Sequence, residues 1–217
     1  TDFPGHQLIG DAYTLILEGF FLNKEYAEVE RIAREIDAAD VSASLKETAN
    51  MRKAQSVFLN AKNLKFGEDH IATANEFKRV ALESPDFELA DQSMFQAGQE
   101  YKLGEAWQQA NEAFMYIADH YPQSKYADKA LYNAGLNAQD KMSDIAMAAK
   151  IFEQLVNSYP RSEQAQGALS YASSNYNTLE NHEAAIRVNE MYVSLFPDAD
   201  DANLYLFENA GHYLKLD

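Results

Sequence analysis

The sequence predicts an all-α solenoid of antiparallel helix pairs, and three observations carry that prediction. Four of the five prolines, Pro85, Pro122, Pro160 and Pro197, are separated by 37, 38 and 37 residues, a period in the range of stacked repeats. The residue five positions after each of them is alanine: Ala90, Ala127, Ala165 and Ala202. Alternating apolar and polar runs do not persist, while the helix-favouring Ala, Leu, Glu, Gln and Lys fill most positions between turns.

In chain order, the first third is the least regular. Residues 7–22 and 25–37, broken at Asn23-Lys24, form one expected helix pair, and 44–65 with 68–83 a second, where Ala61 and Leu64 keep the proline-referenced positions. The irregular pairs thus span the 7–65 region, and the regular repeats run over about 48–85, 86–122, 123–160 and 161–197. Behind each proline, Phe77, Phe114, Phe152 and Asn189 stand eight residues back, and Val80, Ile117, Leu155 and Tyr192 five back, which places each set on one helical face. Ahead of it, a small residue recurs at position thirteen (Gly98, Gly135, Ser173, Ala210) and lets neighbouring helices approach. Breaks fall at 102–105, 139–142 and 178–181, so each unit is helix A, a turn, helix B and a proline turn. Asp86, Ser124 and Ser162 follow the prolines as expected N-caps of the next helix A. A last helix, 200–215, opens like a sixth repeat, either as a capping helix or where a longer array was cut.

Eighteen Lys and Arg stand against 34 Asp and Glu, a formal charge of −16, and 47% of the 217 residues are hydrophobic. That is enough apolar material for a core, and it argues against nucleic acid or an anionic membrane surface, both of which are gripped by cations. No stretch reaches the roughly 18 apolar residues of a spanning helix. The first residues, Thr1-Asp2-Phe3-Pro4, are neither a start methionine nor a charged leader, and read as a soluble piece trimmed from a longer precursor. Without cysteine there is no disulfide, thiolate metal site or thiol nucleophile, and both reducing and oxidising compartments stay open.

The run Tyr121-Pro122-Gln123-Ser124-Lys125-Tyr126-Ala127, continued through Gly135, resembles a tetratricopeptide repeat. Tyr101-Lys102-Leu103-Gly104, Ala110 and Phe114 extend the likeness. The family's period is about 34 residues; the excess here would lengthen the start of helix A. The Tyr-Pro-x-Ser-x-x-Ala form is similar to the variant in bacterial envelope proteins, the BamD-like assembly lipoproteins and CpoB/YbgF-like periplasmic coordinators. The resemblance covers about residues 85–210 and implies a right-handed superhelical solenoid, one TPR-like array over 1–217, acting in the periplasm or at the outer membrane, with a cytoplasmic address still open.

Catalytic signatures are missing. His6, His70, His120, His182 and His212 are scattered, with no helical metal pair among them. Glu68-Asp69-His70 reads as a solvated turn. Asp198-Ala199-Asp200-Asp201 resembles a calcium loop, but Asn203 and Asn209 stand where such a loop needs Gly and Glu. The expectation is therefore no enzyme, no cofactor and no metal. The resemblance maps the family's groove to positions 7, 10, 14 and 17 after each proline. Position ten reads Phe95, Tyr132, Ser170 and Phe207, and one period earlier Phe58. Position seventeen and its earlier equivalent read Lys65, Lys102, Gln139, Asn177 and Leu214; Gln92, Gln99 and Lys129 add polar handles. An aromatic ladder with amides suits a bound peptide, although aromatics at helical spacing also pack between helices. The cation and Asn cluster that grips C-terminal carboxylates in some family members is not reproduced. The expected function is a non-catalytic scaffold for a peptide or protein segment. The alternative is a spacer or self-association module stacking through its terminal helices, where Leu204, Leu206, Phe207 and Leu214 would be exposed.

Overall fold

The computed structural model describes residues 4–65 and 67–216, with side chains from Leu8 onward. Thr1, Asp2, Phe3 and the side chain of His6, all used above, lie outside the described residues. The described residues form eleven α-helices and no strand, and within α1–α5 and within α6–α11 each helix packs on the next one in sequence. The chain divides into two compact units, Thr1–Glu105 and Ala106–Asp217.

The first unit holds α1 (Pro4–Leu22), α2 (Tyr26–Ala38), α3 (Ala43–Leu64), α4 (His70–Glu83) and α5 (Ala90–Leu103). Apolar spacing of three and four along α2 buries Val29, Ile32, Ala33 and Ile36 against Leu17 of α1 and Leu45 and Ala49 of α3. Two polar clasps tie the layers. Arg52 of α3 donates to Glu18 of α1 at 2.7 and 3.0 Å, and Arg79 of α4 donates to Glu30 of α2 at 2.8 and 2.9 Å. Burial raises the Glu30 pKa, but the Arg79 hydrogen bonds and charge outweigh it and hold the carboxyl below its usual range.

The second unit holds α6 (Trp107–His120), α7 (Ala127–Asp140), α8 (Ile145–Ser158), α9 (Ala165–Thr178), α10 (His182–Leu195) and α11 (Ala202–Leu216). Its core alternates alanine-rich A helices (Ala127, Ala130, Ala134, Ala138 in α7) with bulky B residues such as Phe114 and Phe152. Small against large allows close approach: a Cβ on Gly135 would stand 2.6 Å from the Phe152 ring.

Turns repeat as strictly as helices. The amides of Phe87, Ser124, Ser162 and Ala199 donate to the carbonyls of Ser84, Tyr121, Tyr159 and Phe196 at 2.9–3.1 Å, and the alanine that opens each A helix bonds the next turn. In the other turn, Lys24, Glu105, Ser143 and Glu180 adopt positive φ of 54–62°, each two residues before a B helix. The caps differ from expectation. Side chains of Asp69, Asp144 and Asn181 cap the B helices α4, α8 and α10. The A helices α5, α7 and α9 have no side-chain cap. Ser124 and Ser162 accept instead from the amides of Tyr126 and Gln164, because the helix begins at the alanine, two residues later than a serine cap would set it. Asp86 likewise sits four residues ahead of α5.

Candidate interaction surface

Helix A of each repeat turns one face inward and leaves a rim of half-exposed polar and aromatic side chains. In the first unit this rim comes from α3 and α5. Lys65, just past α3, donates to Gln96 of α5 at 2.8 Å and lies 3.1 Å from the Glu100 carboxylate. Gln92, Phe95, Gln99 and Lys102 are partly exposed along α5. Phe58 is placed differently: it is buried, edge-on to Phe77 at 5.9 Å and to Phe87 at 6.4 Å, so its ring is committed to helix packing. Beside this rim, a cleft of about 750 Å³ opens between α3 and the Ser84–Glu88 turn, floored by Met51, Ala54 and Phe87 and edged by Lys53, Glu83 and Glu88.

In the second unit the rim comes from α7, α9 and α11. Lys129 is exposed and Gln139 partly so; Gln139 accepts from Asn175 of α9 at 2.9 Å. Tyr132 is half-buried, edge-on to Phe152 and Tyr171 at 5.9 and 6.3 Å. Burial first, and then Tyr171, pushes its phenol pKa up. Ser170, the break in the aromatic series, accepts from the hydroxyl of Tyr205 at 2.8 Å, which ties α9 to α11. Asn177 is partly exposed, but its Oδ1 is buried without a hydrogen-bond partner among the described residues. Phe207 is 77% exposed. The ladder therefore divides: Phe58 and Tyr132 pack between helices, Phe95 is half-buried and Phe207 faces solvent.

Sequence reasoning missed a second ladder, fifteen positions after each proline. Glu100, Asn137, Asn175 and His212 are all buried and all polar. Three of them meet the first residue of the B helix 30 positions earlier. The Glu100 carboxylate lies 2.8 Å from His70 Nδ1, Asn137 Nδ2 donates to the Trp107 carbonyl at 2.7 Å, and His212 Nδ1 lies 3.2 Å from His182 Nδ1. Aligning the chain on its prolines exposes this column as polar throughout, beside a column at twelve that is alanine in three repeats and a column at sixteen of Tyr and Ala. Burial and the neighbouring His182 lower the His212 pKa. Among the described residues no group of three His, Cys, Asp or Glu side chains converges as metal ligands, and no helix is long and apolar enough to cross a membrane.

Residues 129–162 match the tetratricopeptide repeat family. No curated protein sequence matches the chain. Solved structures similar to it include BtubC (BKLC) from P. vanneervenii, at 10% identity and TM-score 0.46 over 91% of this chain and 83% of that one. Another is pilF of Pseudomonas aeruginosa, at 13% identity and TM-score 0.42 over 98% and 92%. A third holds nearly identical TPR-like repeats of a kinesin light chain candidate from Podosopora anserina, at 10% identity and TM-score 0.41 over 85% and 93%. At such distances the fold is carried by this chain's own helices and turns.

Proposed function

We propose that this chain is a tetratricopeptide-type scaffold that holds a segment of another protein on its A-helix rims and performs no chemistry. Repeats of this family generally mediate protein–protein contact, and one repeat of this chain matches the family. The observation that carries the reading is the regular rim of each unit: Gln92, Phe95, Gln99 and Lys102 on α5 and Lys129, Tyr132 and Gln139 on α7 recur at fixed distances after their prolines. Amides at such intervals can pair with an extended backbone, and partly exposed rings give contact area at low entropic cost. The formal charge of −16 favours a neutral or basic partner segment. The Tyr-Pro-x-Ser-x-x-Ala turns support a bacterial envelope setting, in the periplasm or at the outer membrane, with assembly of envelope proteins as the process served.

The test is a crosslinking pull-down from the native source comparing the parent with a Gln99→Ala/Lys129→Ala/Gln139→Ala variant. Phe58→Ala is unsuitable, since removing a buried ring costs about 3–5 kcal/mol and would confuse folding with binding. Loss of a captured partner with unchanged melting supports the rim; undiminished capture rejects it.

A further inference from the structure

Neighbouring proline turns of the second unit stack on one another. The Tyr159 hydroxyl donates to the Pro122 carbonyl at 2.9 Å and the Ser162 hydroxyl to the Asp128 carboxylate at 2.8 Å, which leaves a groove of about 450 Å³ edged by Lys125 and Arg161. The first unit departs from this pattern. One repeat before the Pro85 turn, residues 47–51 are helical, because Ser42 caps α3 and opens it at Ala43, well ahead of Lys53, the residue that aligns with Ala90. A straight helix there does not fold over the Ser84–Glu88 turn as a second turn would, and the cleft of about 750 Å³ is the space left between them. Both walls lie inside the chain, α3 between α2 and α4 and the turn between α4 and α5, so the opening is made by the fold of this unit.

The lining has two chemistries. Its floor is apolar: the buried Ala54, Met51 at 52% exposure, and Phe87, whose ring also meets Phe58 edge-on at 6.4 Å. Its edge is anionic. Glu47, Asp86 and Glu88 are exposed and form no ion pair among the described residues, while Lys53 is held at 2.6 Å by Glu83. A hydrated metal ion gains nothing from Met51 and Phe87. An arginine side chain matches both parts, its methylene stem on the floor and its guanidinium at the carboxylates.

We propose that this cleft docks a basic, extended segment of a partner protein and seats one of its arginines between α3 and the Ser84–Glu88 turn. The occupant follows from charge complementarity. The turn groove of the second unit is edged by cations in the same acidic chain, so the preference for a cation belongs to this cleft and not to the net charge of −16 alone. A second copy of the chain would bring the same −16 to the acidic edge and is disfavoured. The site lies off the A-helix rims and does not depend on them.

The probe is a fluorescent peptide, Gly-Pro-Arg-Leu-Arg-Gly, titrated against the full chain at about 0.15 M salt, where long-range attraction is screened. A second form carries citrulline for both arginines, which keeps the shape and removes the charge. Saturable binding of the arginine peptide is expected, weaker by at least about tenfold for the citrulline form. The chain variants Met51→Lys and Asp86→Asn/Glu88→Gln, altered at exposed positions, should melt like the parent and weaken binding by a similar factor. Glu112→Gln/Glu163→Gln, which removes the same charge from the second unit, and the rim variant Gln99→Ala/Lys129→Ala/Gln139→Ala should bind as the parent does. Absence of saturable binding, equal binding of the citrulline form, or equal weakening by the Glu112/Glu163 pair would each overturn the proposal. So would loss of the peptide in the rim variant, displacement by spermidine at the peptide's own concentration, or a parent dimer that Met51→Lys dissolves.

Discussion

Asn189 of α10 donates its side-chain amide to Oδ1 of Asn209 of α11 at 2.9 Å, and both residues are buried. In the three preceding repeats these two columns hold Phe77, Phe114 and Phe152, and Ala97, Ala134 and Ala172. One repeat has thus exchanged an aromatic and an alanine for a paired polar contact. The exchange succeeds because each asparagine satisfies part of the other's hydrogen bonding.

Coupling between these two residues is the first prediction. Asn189→Ala or Asn209→Ala alone leaves a buried amide without its partner and should cost about 1–3 kcal/mol. The double variant should cost less than the sum, as a double-mutant cycle by urea denaturation would measure.

Gly135 is held small by Phe152, which a Cβ would approach to 2.6 Å. Gly135→Ala should therefore destabilise by about 1–3 kcal/mol despite the better helix propensity of alanine. Gly135→Ala with Phe152→Leu should recover part of that loss, as thermal melting would show. Gly211→Ala, where the added Cβ meets nothing within 4 Å, should be neutral or stabilising.

The His182–His212 contact gives a pH dependence of definite sign. The folded His212 pKa lies below its ordinary value of 6.5, through burial and then His182, with Glu208 opposing and Lys215 adding to the shift. The unfolded chain takes up the proton first, so this stabilisation is present above about pH 6.5 and declines as pH falls from there towards the folded pKa. His212→Asn, which copies the Asn137 and Asn175 columns, should lose less melting temperature than the parent between about pH 7.5 and pH 5.5.

Glu30 and Arg79 clamp α2 to α4 through two hydrogen bonds. Arg79→Met leaves the nearly buried Glu30 carboxylate with the more exposed Arg34. The expected loss is about 2 kcal/mol, below the roughly 3–5 kcal/mol of a fully buried broken pair. Because the folded Glu30 pKa is depressed below 4.5, the clamp's contribution is present above about pH 4.5 and is lost as pH falls through the folded value. Arg79→Met should flatten that acid limb of the melting curve.

Much of this architecture was legible because repeats write the same physics several times. Expected helices at 7–22, 25–37, 44–65 and 68–83 compare with Pro4–Leu22, Tyr26–Ala38, Ala43–Leu64 and His70–Glu83. Proline and alanine recur by their own backbone and size preferences, and Ala90, Ala127, Ala165 and Ala202 turn out to open their helices, later than the expected caps would have set the starts. The buried polar column of Glu100, Asn137, Asn175 and His212 escaped, because a polar residue at one register reads as exposed until a partner 30 residues away is known. Phe58 and Phe95 share a column yet differ in burial, since neighbours such as Phe77 and Phe87 decide a ring's surroundings where helical phase alone cannot. Ser124 and Ser162 illustrate the same limit on a local scale: an oxygen in the right stretch caps only if the helix begins within its reach.

The account's central claim is that the A-helix rims hold a protein segment. The most direct measurement places a photo-crosslinking residue at Gln99, Lys129 or Gln139 on the rims, and at Gln108 or Glu112 on the exposed side of α6, in the full chain. The prediction is a crosslinked protein from each rim position, with Lys129 and Gln139, both on α7, reaching one segment of the same partner, and none from the two α6 positions. Equal yields from rim and α6 positions, or rim crosslinks scattered over unrelated proteins, would contradict it.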